Sequence, residues 1–168
     1  LNNFFFYCLM GIIALFLLAF FFPMFYNATW YLLYILITFT IIDTLLLFAS
    51  GKTVVGNRHT PEKLSNGDEN EIIVYLHNKY TFPIWTKIID EIPFQFQKRD
   101  FEIKRKIVNQ GKDSFKYLLR PTERGEYLFG KLNIYASTPL RLVSRRFMYE
   151  ENKMVPTYPS YIQLRKYD

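Results

Sequence analysis

Two apolar runs of membrane-spanning length open the chain: Phe4 to Phe22 carries no charge, and Trp30 to Ser50 carries only Asp43. About 20 residues at 1.5 Å each cross the roughly 30 Å hydrocarbon core of a bilayer. Few folds are open to such a chain. The pattern predicts a two-helix transmembrane hairpin over residues 1–50 (helices at about 4–22 and 30–50), with the soluble structure on one side of one membrane. Pro23 ends the first helix, and Thr29 is placed to cap the second. Phe25, Tyr26, Trp30 and Tyr31 fall where amphipathic rings collect at an interface. A cleaved signal peptide fits poorly. No basic residue precedes the first run, and Phe20, Phe21, Phe22 and Pro23 stand where a small-residue cleavage site would be.

Charge sets the expected orientation. All 21 basic residues lie from Lys52 onward with every acid except Asp43, which makes that part about +7. The turn from Pro23 to Thr29 has no Lys or Arg, whereas Lys52, Arg58 and Lys63 closely follow the second helix. The positive-inside rule then puts the turn outside and the soluble part in the cytoplasm, as a multi-pass protein of the cell inner membrane. Cys8 is the single cysteine and lies in the first apolar run, so no intrachain disulfide forms and no Cys/His metal set is expected in the soluble part.

Asp43 is the one ionisable side chain expected at membrane depth. Such a group commonly marks a helix-pairing or ion-handling site. A lone carboxylate makes a poor proton path, so the expectation here is that it pairs with the Thr40 or Thr44 hydroxyls or stays protonated at the helix interface.

Beyond Gly51 the apolar pattern turns from helical to alternating. Strands are predicted over Glu71 to Asn78, Pro83 to Ile92, Phe101 to Val108, Ser114 to Arg120, Glu126 to Ala136, Arg145 to Tyr149 and Met154 to Tyr158. Asn66-Gly67-Asp68, Asn109-Gln110-Gly111 and Glu123-Arg124-Gly125 offer glycine for turns of positive φ. Short strands spaced by such turns predict an all-β immunoglobulin-like sandwich over residues 51–160.

The residues Arg58-x-x-Pro61-x-x-Leu64-Ser65-x-Gly67-x-x-Asn70, Asn78, Asp90-Glu91-x-Pro93, Arg120-Pro121-x-x-Arg124-Gly125-x-Tyr127-x-x-Gly130, Pro139-Leu140-x-Leu142 and Tyr158-Pro159-Ser160 occur in that order. In this set and in its leading hairpin the chain resembles the N-terminal region of domain-of-unknown-function family 58, bacterial membrane proteins associated with von Willebrand factor A domains. Arg141 stands where family members often have Gly, which bears on the turn formed there. The resemblance implies that 161–168 begin a linker to a C-terminal von Willebrand A-like domain with a metal motif. It also implies a MoxR-type AAA+ ATPase as a cytoplasmic protein partner.

Within the signature stretch, Arg120 and Arg124 are candidate carboxylate-binding groups. Gly125 and Tyr127 read as turn chemistry, with the tyrosine bonding back across the turn as in a tyrosine corner. Lys98, Arg99, Lys104, Arg105 and Lys106 form the densest basic cluster, with Arg145-Arg146 a second. The plain reading is a solvated edge strand, since Asp100 and Glu102 interleave with it; the functional reading is contact with anionic lipid. No nucleic-acid motif accompanies the charge, so no nucleic-acid partner is expected. Asp90 and Glu91, adjacent on a strand, face opposite ways and cannot work as a catalytic pair. No P-loop, Rossmann or nucleophile-elbow spacing occurs.

The expectation is therefore a non-enzymatic scaffold or assembly factor without cofactors, anchored in the lipid bilayer. The alternatives are a stand-alone, envelope-facing sandwich that binds lipid or peptide, and an accessory subunit of a larger membrane complex.

Overall fold

The computed structural model describes residues 1–97, 101–149 and 152–159. Lys98, Arg99 and the linker expected over 161–168 lie outside the described residues.

Helix α1 covers Asn3–Phe21 and helix α2 covers Tyr26–Phe48, joined by a 3-10 turn at Pro23–Phe25. Both are long and apolar enough to cross a membrane. Phe6, Leu17, Phe20, Ile35, Ile41 and Leu45 are all exposed, so the apolar surface runs round the helices instead of forming one core-facing stripe. Pro23 does end the first helix. The second helix starts four residues earlier than its apolar run because the 3-10 turn lets the chain reverse in three residues. Thr29 is consequently inside α2, where its hydroxyl donates to the Phe25 carbonyl at 2.9 Å and caps nothing.

Among the described residues ten strands follow: β1 (Val54–His59), β2 (Leu64–Ser65), β3 (Asn70–Asn78), β4 (Ile84–Asp90), β5 (Glu102–Ile107), β6 (Lys112–Leu119), β7 (Gly125–Phe129), β8 (Leu132–Ser137), β9 (Ser144–Tyr149) and β10 (Lys153–Tyr158). They form a β-sandwich. One antiparallel sheet has the order β1-β3-β6, and the sheet facing it has the order β5-β4-β8-β9. A third, smaller sheet, β2-β10-β7, pairs β10 parallel to β2 and antiparallel to β7.

Alternation places the core. Ile72, Val74 and Leu76 of β3 point inward with Phe115, Tyr117 and Leu119 of β6, against Ile84 and Ile88 of β4 and Leu132, Ile134 and Ala136 of β8. The sheets approach closely at Gly56, where a Cβ would overlap the tip of the Ile134 side chain and force that side chain to shift.

Two strands were not foreseen. In β1 the inward set is Val54, Gly56 and Arg58, so a glycine and a cation occupy positions that an apolar alternation would fill. β2 is only two residues long. The single strand expected over Glu126 to Ala136 is broken at Gly130-Lys131, where the chain passes from the small sheet to the large one. At the turns, Gly67 and Gly125 have φ of 81° and 141°, as expected. In the third turn Gln110 carries the positive φ (50°), while Gly111 is needed for close approach to Val108.

Candidate functional site

The sequence features converge where the hairpin meets the sandwich. Asp43 is fully buried, yet neither Thr40 nor Thr44 pairs with it. Those hydroxyls donate to the Leu36 and Thr40 carbonyls of their own helix at 2.7 and 2.8 Å. The Asp43 carboxylate instead accepts from the Thr138 hydroxyl, the Leu142 N–H at 3.0 Å and the Val143 N–H at 2.7 Å. These donors lie 95 to 100 residues away, in the loop between β8 and β9. Asp43 has its partners on the sandwich and not on its own helix. It is the acceptor that fixes one sandwich loop onto α2.

One helical turn later, the Leu47 carbonyl receives the Tyr80 hydroxyl at 2.9 Å and the Arg145 guanidinium at 2.7 Å. Arg145 also stacks over Phe48 and Phe147, with ring distances of 5.1 and 4.9 Å. A cation on the last carbonyls of a helix satisfies orphan acceptors and complements the helix dipole. Arg145 is therefore a helix cap and not part of a basic surface. Its neighbour Arg146 is held by the Asn133 side-chain oxygen at 2.7 Å.

The loop so held contains Pro139-Leu140-Arg141-Leu142. Leu140 and Leu142 line, together with Cys8, Ile12, Leu36 and Phe39 of the two helices, a groove of about 490 Å³. The Asn2 N–H, just before α1, donates to the Leu142 carbonyl at 2.9 Å. Both helices are thus tied to the same loop. Arg141 adopts φ of 55°, the left-handed region that glycine occupies without cost.

The described part of the basic cluster, Lys104, Arg105 and Lys106, lies exposed on β5, an edge strand. Glu102 bridges Lys87 at 2.6 Å and Lys104 at 3.1 Å, and the hydrogen bond from Lys87, followed by that from Lys104, holds its carboxyl below the usual range. Arg105 turns toward Phe115, 5.9 Å from the ring. Lys106 and Arg141 both stand over the Trp85 ring, at 4.7 and 4.6 Å.

The signature turn is structural in its tyrosine. The buried Tyr127 donates to the Glu123 carbonyl at 3.0 Å and packs on Phe96 at 4.9 Å. Arg120 and Arg124 are exposed at either end of this turn, away from the helices, and Gly125 supplies the turn's positive φ.

A second buried polar group was not foreseen as a unit. Arg58 of β1 pairs with Asp90 of β4 and donates to the Gly130 carbonyl at 2.9 Å, while Tyr117 of β6 donates to Asp90 at 2.6 Å. Burial pushes the Asp90 carboxyl above its ordinary range, and Arg58 and Tyr117 offset this only in part. The trio joins facing sheets across the core. Glu91, turned the other way, accepts from the Lys131 N–H at 2.9 Å and the Asn133 amide at 3.0 Å. The two adjacent acids do face opposite ways, and each is engaged in structure.

No protein-family model and no curated protein matches the chain. Among solved structures it is similar to the PapD-like domain 7 of human CEP192, with 12% identity, 62% of this chain and 86% of that one covered, and a TM-score of 0.44. It is similar also to the CARDB domain of a Pyrococcus furiosus protein in complex with di-metal ions, with 11% identity, 64% and 89% covered, and a TM-score of 0.41. A third likeness, to native alpha-2-macroglobulin from Escherichia coli, has 11% identity and a TM-score of 0.48, covering 64% of this chain and 17% of that one. Likeness of this degree says nothing about what this chain binds.

Proposed function

We propose that this chain is a membrane-anchored, non-enzymatic scaffold whose immunoglobulin-like sandwich is held in fixed orientation on a transmembrane hairpin at the cytoplasmic face. The observation that carries this reading is the Asp43 junction. A flexible tether would localise a domain; three hydrogen bonds from one sandwich loop to one helix carboxylate also orient it. Orientation matters for an assembly factor, because a partner held at a fixed height and angle meets its target at raised effective concentration. The asymmetry of basic residues supports the cytoplasmic side. The tyrosine contact of Tyr127 supports the immunoglobulin-like type of sandwich.

The resemblance to domain-of-unknown-function family 58 supports a downstream von Willebrand A-like domain and a MoxR-type AAA+ ATPase as the partners so positioned. Reporter fusions at the C-terminus test the topology: an active cytoplasmic reporter is expected, and an exported one overturns it in favour of an envelope-facing sandwich. Co-purification of a MoxR-type ATPase in mild detergent, lost on removal of the sandwich, tests the partner.

A further inference from the structure

On the outer face of the β5-β4-β8-β9 sheet, the cross-strand row nearest the helices is Lys106, Trp85, Ser137, Ser144. The next row is Lys104, Lys87, Tyr135, Arg146. A cleft of about 610 Å³ lies over these rows, and Asn2 and Arg141 form its rim on the helix side. Lys106 and Arg141 both stand over the Trp85 indole. Each contact leaves a full positive charge beside the same ring, and an anion in the cleft would meet both. Of the acids on this face, Glu102 is taken up by Lys87 and Lys104, and Glu91 accepts from the Lys131 N–H and the Asn133 amide. Among the described residues neither Lys106 nor Arg141 has an ion-pair partner.

Position decides what kind of anion fits. Asn2, on the rim of the cleft, immediately precedes α1. The cleft therefore opens at the level where a bilayer holding α1 and α2 places its headgroups. A half-buried tryptophan at that level is the side chain such an interface favours.

We propose that this cleft binds the phosphate of an anionic phospholipid headgroup, with Lys106 and Arg141 as its cations and Trp85 as the wall that holds both. The inference rests on the membrane-anchored reading above and deepens it. The sandwich would read lipid charge directly, and a nucleic acid or soluble phosphate would have to compete for a site that opens onto the membrane.

The test uses the full chain in nanodiscs of phosphatidylcholine, alone or with phosphatidylglycerol, and counts retained lipids by native mass spectrometry after release into detergent. The wild type is expected to retain phosphatidylglycerol over phosphatidylcholine, and Lys106→Gln/Arg141→Gln to lose that preference by about tenfold. Lys63→Gln/Lys116→Gln, an equal charge change elsewhere on the sandwich, is expected to keep it. Equal loss in both double variants, or none in the first, overturns the site. Displacement of the lipid by millimolar inorganic phosphate or by an oligonucleotide overturns the lipid assignment. Failure of the chain to enter neutral nanodiscs overturns the anchored reading, and the inference with it; entry without lipid preference overturns the inference alone. Far-UV circular dichroism of each variant separates loss of binding from loss of fold.

Discussion

Asp43 and Asp90 are both withdrawn from water, and they are satisfied by different means. Asp90 lies inside the sandwich and meets a full positive charge, Arg58, with Tyr117 completing its shell. Asp43 lies at the seam between helix and sandwich and meets two backbone N–H groups and a hydroxyl. The first arrangement joins facing sheets, so what depends on it is the whole domain. The second joins helix α2 to a sandwich loop, so what depends on it is their relative orientation. A carboxylate recognised by backbone N–H groups specifies a loop conformation, because the two donors converge only when the loop is folded in one way. An ion pair makes no such demand on its partner's backbone.

The largest expected effect comes from breaking the charged pair. Asp90→Ala leaves the Arg58 guanidinium buried without its counter-charge and is expected to cost about 3–5 kcal/mol, read as a fall in the urea midpoint of the full chain in detergent. Arg58→Met/Asp90→Leu/Tyr117→Phe removes the charges together and should recover most of that loss. If the triple variant is as unstable as the single one, packing and not charge governs this site. The pH dependence follows from the raised Asp90 carboxyl. A group whose folded value lies above its unfolded value, here about 3.9, contributes stability that is present below that value and lost as pH rises through the folded one. The difference between wild type and triple variant should therefore move in favour of the wild type as pH falls through the raised folded value toward the unfolded one. A difference that is flat or moves the other way removes the desolvation argument.

Asp43→Ala should be smaller and local. It leaves two backbone donors and a hydroxyl without their acceptor, about 2–3 kcal/mol in all, and the damage should stay at the seam. Amide exchange at Leu142 and Val143 is expected to accelerate about thirtyfold or more, while Leu76 and Ile134 in the sandwich interior keep their protection. Uniform acceleration across the sandwich would erase the distinction between the two carboxylates.

These contrasts bear on what the sequence could reveal. The hairpin and most of the strands were legible because their signals are local: apolar runs, alternation, and turn glycines such as Gly67 and Gly125. Tyr127 was legible for the same reason, since its acceptor is four residues away. The partners of Asp43 are about a hundred residues distant, and two of them are backbone amides that no side-chain pattern announces. Arg58 and Asp90 were visible separately, as a charge after the second helix and as one of two adjacent strand acids; with β1 unassigned, nothing showed that the guanidinium points inward to meet the carboxylate. Arg145 read as surface charge because a helix carbonyl as a partner leaves no mark in the sequence.

Tyr127 supplies an uncharged reference for both carboxylates. Tyr127→Phe removes a single hydroxyl-to-carbonyl hydrogen bond while keeping the ring on Phe96, and should cost about 1 kcal/mol. The urea midpoint checks it. A cost matching that of Asp90→Ala would mean that the signature turn, and not the ion pair, holds the sandwich together.

The smallest effect is expected at Arg141, and it sharpens the account of the seam most. Its φ of 55° costs a non-glycine residue on the order of 1 kcal/mol, which Arg141→Gly would recover. Against this stand the lost stacking on Trp85, about 0.5–1 kcal/mol, and the added freedom of glycine in the unfolded chain, of similar size. The opposing contributions nearly cancel, so stability should stay within about 1 kcal/mol of wild type, with exchange at Leu142 and Val143 unchanged. That result would show that the loop takes its shape from the Asp43 carboxylate and tolerates either residue between its leucines. Loss of protection at those two amides in Arg141→Gly would instead make the arginine stack a co-determinant of the seam, and the carboxylate alone would no longer account for how the sandwich is oriented on its helices.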